Sequence, residues 1–220
     1  MMYRARGYYS GALAGEQFRL DPYHSKFWRK ATAGKWEPET FAVLDRFLDR
    51  DHDYLDIGAW IGPTVLYGAR KARHVWRFEP DPEAYRALAW NIALNDLLHV
   101  SAFAAGISED VGIARMASFG GEQGDSMTSL LNAGGANGSD VLTIGWAHFA
   151  GSVDLANVSL VKIDIEGAEF DVLPALLPWL KMQRPALLLS THAPFLPPKE
   201  RAERMAALAD MLSFYGECES

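Results

Sequence analysis

Between residues 53 and 103 short apolar runs alternate with amphipathic stretches. Residues 54–57 form one run, 75–78 a second and 98–103 a third, while 63–72 and 82–94 carry helical patterns between them. Strands alternating with helices predict a parallel sheet. Pro63 and Pro82 stand where the first helical turn begins, which suits a residue with fixed φ and no N–H to contribute. Further on, 160–165 reads as a buried strand ending in acids, 170–177 as a helix, 186–191 as a strand and 199–214 as a closing helix. Residues 111–116 predict a short strand, set in a small hairpin with the chain before it; 141–144 predict another strand and 146–149 a helical turn. Ahead of residue 53 the clearest pattern is 38–48, where Phe41, Leu44, Phe47 and Leu48 share a helix face. The expected organisation is an N-terminal helical or mixed cap segment, 1–50, and one compact unit, 51–220.

From 120 to 139 the composition turns to Gly, Ser and Asn, with Gly120, Gly121, Gly124, Gly134, Gly135 and Gly138. A stretch of that length inside a compact domain is a functional lid or a disordered insertion, and both readings stay open. Asp125, Ser126, Met127, Thr128 and Ser129 lie within it as candidate cofactor neighbours or as solvated loop.

At 220 residues, with 49% hydrophobic and 22% charged positions, the chain is sized for one α/β domain with a full core. The net charge of -7 removes any general attraction to phosphate backbones, so nucleic acid is disfavoured as a partner. No run approaches the ~20 apolar residues of a membrane span, since Pro174 and Pro178 break the best candidate, 172–180. The single cysteine, Cys218, excludes an intrachain disulfide and a cysteine metal cluster. A reducing compartment, the cytoplasm, is the expected location.

The first apolar run ends in Asp56 and turns at once through Gly58 and Gly62; the second ends in Glu79 and Pro80. A nicotinamide-binding fold would show G-x-G-x-x-G, with its acid only after the next strand. Here the spacing is G-x-x-x-G and an acid precedes the turn, which favours S-adenosylmethionine. Asp56 is placed to receive the ammonium, directly or through water, and Gly58 to let the backbone approach closely. The helix after Gly62 offers N–H groups to the carboxylate, and Glu79 offers both its oxygens to the ribose hydroxyls. The plainer alternative is that the two glycines shape a strand-to-helix turn capped by Asp56. That alternative accounts for the glycines alone better than for all four residues together.

A third acidic cluster, Asp164, Glu166 and Glu169, follows the 160–165 strand and belongs at the same sheet edge, where open α/β sheets bind their ligands. Lys162 is placed to neutralise one of these acids, and Glu169 to cap the next helix. Methyl transfer to a hydroxyl needs a base. His192, at the exit of the 186–191 strand, is the leading candidate, with Asp164 as competitor and Glu166 beside it. Asp164, Glu166 and His192 also suit a divalent cation, although their spacing does not establish one and none is assigned. Cys218 lies outside the core, which disfavours attack on cytosine carbon, and no Asn-Pro-Pro-aromatic signature of amino methylation follows the fourth strand.

The motifs D-I-G-A-W-I-G, F-E-P-D-P, the spacing of Asn91 and Asn95, and K-I-D-I-E-G-A-E together resemble the FkbM family of methyltransferases over about 53–194. The resemblance implies a class I, S-adenosylmethionine-dependent fold: a Rossmann-like α/β sandwich with a mostly parallel central sheet and helices on both faces. It implies action on a hydroxyl of a sugar, polyketide or similar small or glycosidic acceptor. It places Ala59 and Pro80 beside the cofactor with the motifs that contain them, and Ala104 and Ala105 near the adenine. Trp60 departs from the asparagine usual at that place in the family. Of the C-terminal hairpin usual in class I enzymes the sequence holds the start of one strand at most: either the natural chain is longer or the protein manages without it, and a sheet edge left by its loss would need cover from the N-terminal segment or from a partner chain, as in a homo-oligomer. A cofactor-binding protein without catalysis and a nicotinamide oxidoreductase are the competing functional classes.

Overall fold

A computed structural model describes residues 2–118, 128–129 and 138–216. The order opens with α1 (Met2–Arg6), β1 (Tyr9–Leu13), β2 (Glu16–Leu20), α2 (Ser25–Thr32) and α3 (Pro38–Phe47). The central unit follows as β3 (Asp53–Ile57), α4 (Pro63–Lys71), β4 (His74–Phe78), α5 (Pro82–Leu94) and β5 (Val100–Phe103). Four short strands come next: β6 (Gly106–Ser108), β7 (Gly112–Ser118), β8 (Thr128–Ser129) and β9 (Ser139–Gly145). The chain continues with α6 (Trp146–Ser152), β10 (Val158–Ile163), α7 (Glu169–Gln183), β11 (Ala186–Leu189) and α8 (Arg201–Leu212).

The main sheet is entirely parallel, in the order β11-β10-β3-β4-β5. The sheet's alternation sorts its side chains between two cores. Tyr54, Val75 and Leu160 point to one face, packing with Val65 and Leu66 of α4 and Leu88 of α5. Leu55, Ile57, Phe78, Val161 and Ile163 point to the other, against α6, α7 and α8. Helices therefore cover both faces, as the pattern anticipates. Among the described residues no strand follows β11 and no helix is long and apolar enough to cross a membrane.

All five predicted strands of this sheet and the helices that begin at Pro38, Pro63 and Pro82 are present. The ends differ by a few residues. Leu98 is exposed and β5 starts only at Val100, while Phe47 turns outward at the end of α3. The 170–177 helix is longer than predicted, running through both Pro174 and Pro178. Each proline removes one intrahelical donor, but Leu173, Leu176 and Leu180 are fully buried beneath the sheet and that burial holds the helix together.

The 111–116 strand exists as β7, yet its partner is not the chain before it. β7 pairs antiparallel with β9, Ile113 opposite Leu142, and β9 also takes β6 in parallel on its other edge. Gly145 permits this arrangement: a Cβ there would stand 2.8 Å from the carbonyl oxygen of Glu109 in the turn between β6 and β7. Of the glycine-rich stretch, 119–127 and 130–137 lie outside the described residues.

The N-terminal segment contains a β1–β2 hairpin that the sequence pattern did not announce. Its Leu13, Phe18 and Leu20 join Trp28 of α2 and Phe41 and Leu44 of α3 in the same apolar cluster as Tyr54, Ile61 and Leu66. Asn91 of α5 and Asn95, the residue that caps its C-terminus, fasten the hairpin. Asn91 accepts the Asp21 N–H at 2.6 Å and donates to the Ile61 carbonyl at 2.9 Å; Asn95 accepts from and donates to the Arg19 backbone. Buried Asp21 in turn receives the N–H groups of Tyr23 and His24 and the Trp28 indole, opening α2.

Candidate functional site

A crevice with a cavity volume of about 60 Å³ runs along the carboxyl edge of the main sheet. Gly58 and Trp60 line it after β3, Glu79 and Pro80 after β4, and Asp164, Ile165 and Glu166 after β10. Gly106, Ile107, Met116 and Ser129 of the small sheet close its other side.

Glu79 is buried at the tip of β4, where its oxygens accept the Trp60 N–H at 2.7 Å and the Asp81 N–H at 2.8 Å. Each carboxylate oxygen keeps further acceptor capacity toward the crevice. Burial lifts its pKa to about 7, against the pull of those two donors and of Arg77. Trp60 meets the site first through its backbone: a φ of +46° turns its N–H onto Glu79, while its ring packs edge-on against Phe27 at 4.7 Å.

Asp56 stands elsewhere than the sequence suggests. It is fully buried and absent from the crevice wall; Oδ2 accepts Tyr54 Oη at 2.9 Å and Thr64 Oγ1 at 2.6 Å, and Oδ1 faces Lys162 Nζ at 3.7 Å. Strand register places Lys162, Asp56 and Arg77 side by side on β10, β3 and β4. Two residues further along the same chains come Asp164, Gly58 and Glu79. Two of the three crevice acids thus have a buried cation one pleat behind them, Lys162 for Asp164 and Arg77 for Glu79, with Asp56 between the two cations. Burial pulls the Arg77 pKa down to about 10, and the guanidinium packs over the Tyr85 ring at 4.6 Å. Burial raises the Asp56 pKa, with Lys162, Thr64 and Tyr54 opposing it. For Asp164, burial is outweighed by Lys162, 3.1 Å away, and the pKa lies below the usual value.

The two glycines are required by the chain's own packing. A Cβ on Gly58, at φ +90°, would lie 1.9 Å from the Asp164 carbonyl oxygen; one on Gly62, at φ +94°, would meet Leu88 Cδ1 at 2.3 Å. Gly58 lines the crevice, whereas Gly62 and buried Ala59 stand behind it. Ala104 is exposed and Ala105 buried, and neither lines the crevice; Gly106 and Ile107, two residues on, do so.

Asp164, Glu166 and His192 come together as expected. His192 Nε2 lies 3.6 Å from Asp164 Oδ1 and 3.3 Å from Glu166 Oε2, and one ligand atom of each residue falls within a 4.8 Å cluster. Glu166 adopts φ +53° and Gly167 φ +101°, which turns the acidic loop back over the sheet edge. Sequence reasoning missed the small-sheet wall and the charge row. β6 is three residues long, too short for a periodic signal, and the sequence does not show what Arg77 stands beside until strand register pairs it with Asp56. Ser129 is buried in the wall, while Asp125, Ser126 and Met127 lie outside the described residues.

Residues 56–214 match the family model of the methyltransferase FkbM domain. Methyltransferase sdnD of Sordaria araneosa is 31% identical over 150 residues, covering 54% of this chain and 58% of that protein. Among solved structures, methyltransferase FkbM from Methylobacillus flagellatus KT aligns with a TM-score of 0.50 at 14% identity, over 93% of this chain and 58% of that one. At that identity the likeness is one of fold. The chain spans well under two thirds of the length of both these relatives.

Proposed function

Because this chain belongs to the FkbM methyltransferase family, we propose that it binds S-adenosylmethionine and methylates a hydroxyl of a small-molecule or glycosidic acceptor. The observation that carries this reading is the pairing, in one crevice, of the Glu79 carboxylate held by two backbone donors with the Asp164 and Glu166 carboxylates, beside which His192 stands.

The donor set fits the cofactor. Glu79 would accept the ribose hydroxyls through its remaining lone pairs. Pro80, Ile107 and Met116 offer an apolar wall for the adenine. Asp164 opens on the crevice and is therefore the carboxylate for the methionine ammonium, with Asp56 holding Lys162 behind it. Bound there, the cofactor supplies an electrophilic methyl group on a sulfonium. The acid-rich wall suits a ligand of net positive charge.

The chain's own contribution is to orient the acceptor and remove its proton. His192 Nε2 stands 3.6 Å from Asp164 and 3.3 Å from Glu166, two carboxylates of the crevice wall, which would offset the charge of the imidazolium once the hydroxyl proton arrives. Burial works against that cation, but Glu169, Glu166 and Asp164 outweigh it and hold the His192 pKa above its usual value. The neutral base therefore forms at higher pH than in a free imidazole, so turnover should rise with pH. His192→Ala retaining full turnover on an acceptor found by screening hydroxylated sugars and polyketides would remove this assignment.

The test of cofactor choice is a thermal-shift titration with S-adenosylmethionine, S-adenosylhomocysteine and NADH, since a ligand of the native state raises its midpoint. The first two should stabilise the protein and NADH should not; a response to NADH alone would overturn the reading. Glu79→Ala should abolish the shift. Affinity in the unmodified protein should weaken as pH falls through about 7, where free Glu79 takes up a proton.

A further inference from the structure

We propose that Trp60 is the residue by which the site tells the methyl donor from its product, its indole lying beside the sulfonium of S-adenosylmethionine. This rests on the cofactor assignment made above. Strand order places that atom. β3 lies between β4 and β10 in the main sheet, so the turn after β3 forms the wall between Glu79 and Asp164. A cofactor with its ribose on Glu79 and its ammonium on Asp164 spans that wall, and the sulfonium stands between those two groups in its covalent structure. Of residues 58–62, Gly58 and Trp60 alone line the crevice, and Gly58 has no side chain. Trp60 is therefore the side chain that this turn offers to the sulfonium.

The residue is held from two sides. Its backbone N–H donates to Glu79 Oε2 at 2.7 Å, and its ring meets Phe27 of α2 at 4.7 Å and 81° and His24 at 6.4 Å and 72°. The N-terminal segment thereby fixes the indole over the turn. An aromatic ring attracts a cation through its quadrupole, and tryptophan does so most strongly. S-adenosylmethionine carries a positive charge on sulfur; S-adenosylhomocysteine has a neutral thioether there and differs otherwise only by the lost methyl group. Glu79, Asp164 and Glu166 also favour the charged molecule, so the indole adds to a preference that the acids begin. When the bond from methyl to sulfur breaks, its electron pair stays on sulfur and the charge disappears. The attraction to the ring goes with it, which favours release of the product.

Isothermal titration of S-adenosylmethionine and S-adenosylhomocysteine into the full chain tests this without any acceptor, the readout being the ratio of the two dissociation constants. Trp60→Asn removes the ring but keeps the backbone at φ +46°, since asparagine tolerates the left-handed region and its N–H still reaches Glu79. That variant should lose roughly 2- to 30-fold of the preference for S-adenosylmethionine. Trp60→Phe keeps an aromatic face and should keep most of the preference. An unchanged ratio in Trp60→Asn, even with both ligands weakened, overturns the proposal, as does a Trp60→Phe ratio as low as that of Trp60→Asn. If Trp60→Asn fails to fold, Trp60→Leu decides in the same way, with apolar bulk retained and no aromatic face. Failure of both ligands to bind the unmodified protein is a separate result, and it would count against the cofactor assignment itself.

Discussion

Gly58→Ala should cost about 2–5 kcal/mol of stability, combining the ~1–2 kcal/mol of a left-handed non-glycine residue with the ~1–3 kcal/mol of overpacking. The atom that a Cβ would strike is the backbone carbonyl of Asp164, 1.9 Å away, with Ile165 Cγ2 at 2.8 Å. Backbone cannot rotate aside as a side chain can. β3 and β10 would have to part where the Asp164 N–H bonds the Ile57 carbonyl at 3.0 Å. Gly15 supplies the control: its φ is +91°, yet nothing lies within 4 Å of its Cβ position, so Gly15→Ala should show the backbone cost alone. Urea unfolding of the two variants separates strain from collision. Equal losses would mean that the Gly58–Asp164 contact is not what makes glycine necessary. Against a total of roughly 5–15 kcal/mol for a domain, the larger loss would leave little cofactor-binding fold to titrate.

That contact changes the meaning of the turn motif. Asp56, Gly58 and Gly62 were legible as a cofactor signal because apolar run, acid and glycine are adjacent in the chain. What they touch was not legible, since it depends on which strand lies alongside. β10 arrives from a hundred residues away, puts Lys162 beside Asp56 and presses the Asp164 carbonyl onto Gly58. Glu79 is nearer the opposite case. Its place at a strand tip follows from the local pattern alone, and it lines the crevice as expected.

The fold was legible for a similar reason wherever the signals were local. Pro38, Pro63 and Pro82 mark helix starts by fixing φ, and each begins a helix. The β1–β2 hairpin escaped because Gly11 interrupts its first strand, and Gly11 is there for a distant neighbour: a Cβ would lie 2.7 Å from Thr32 Oγ1 of α2. The Ala14–Gly15 pair, both at positive φ, was the missed two-residue turn. Asn91 and Asn95 were visible as a motif, but as part of a resemblance. Their physical role is to clamp Arg19 and Asp21 of the N-terminal segment to α5, and through the Ile61 carbonyl to the turn beside the crevice.

Lys162→Met should be comparably severe, about 3–5 kcal/mol, because removing one member of a buried charge cluster leaves the others uncompensated. Lys162 is 5% exposed, and its ammonium meets Asp164 Oδ2 at 3.1 Å, Asp56 Oδ1 at 3.7 Å and the Gly58 carbonyl at 3.5 Å. Burial alone would lower its pKa, yet the two acids hold it above the usual value, so the site keeps the lysine charged. The sign of the pH dependence follows from the acids. In the wild type Asp164 is depressed, so its contribution is present above the unfolded carboxylate range and fades as pH falls. Without Lys162, both aspartates should have folded pKa values raised above their unfolded ones, and stability should then be lost as pH rises through those values. The gap between wild type and variant should therefore be widest near neutral pH and narrow on acidification into the carboxylate range. Adding Asp56→Asn to Lys162→Met should recover part of the loss, since it removes the acid that Lys162 alone faces on the Oδ1 side. Denaturant unfolding of the single and double variants across pH measures both effects. A deficit that grows in acid, or a double variant less stable than Lys162→Met, would show that the row across β10, β3 and β4 is not held by charge.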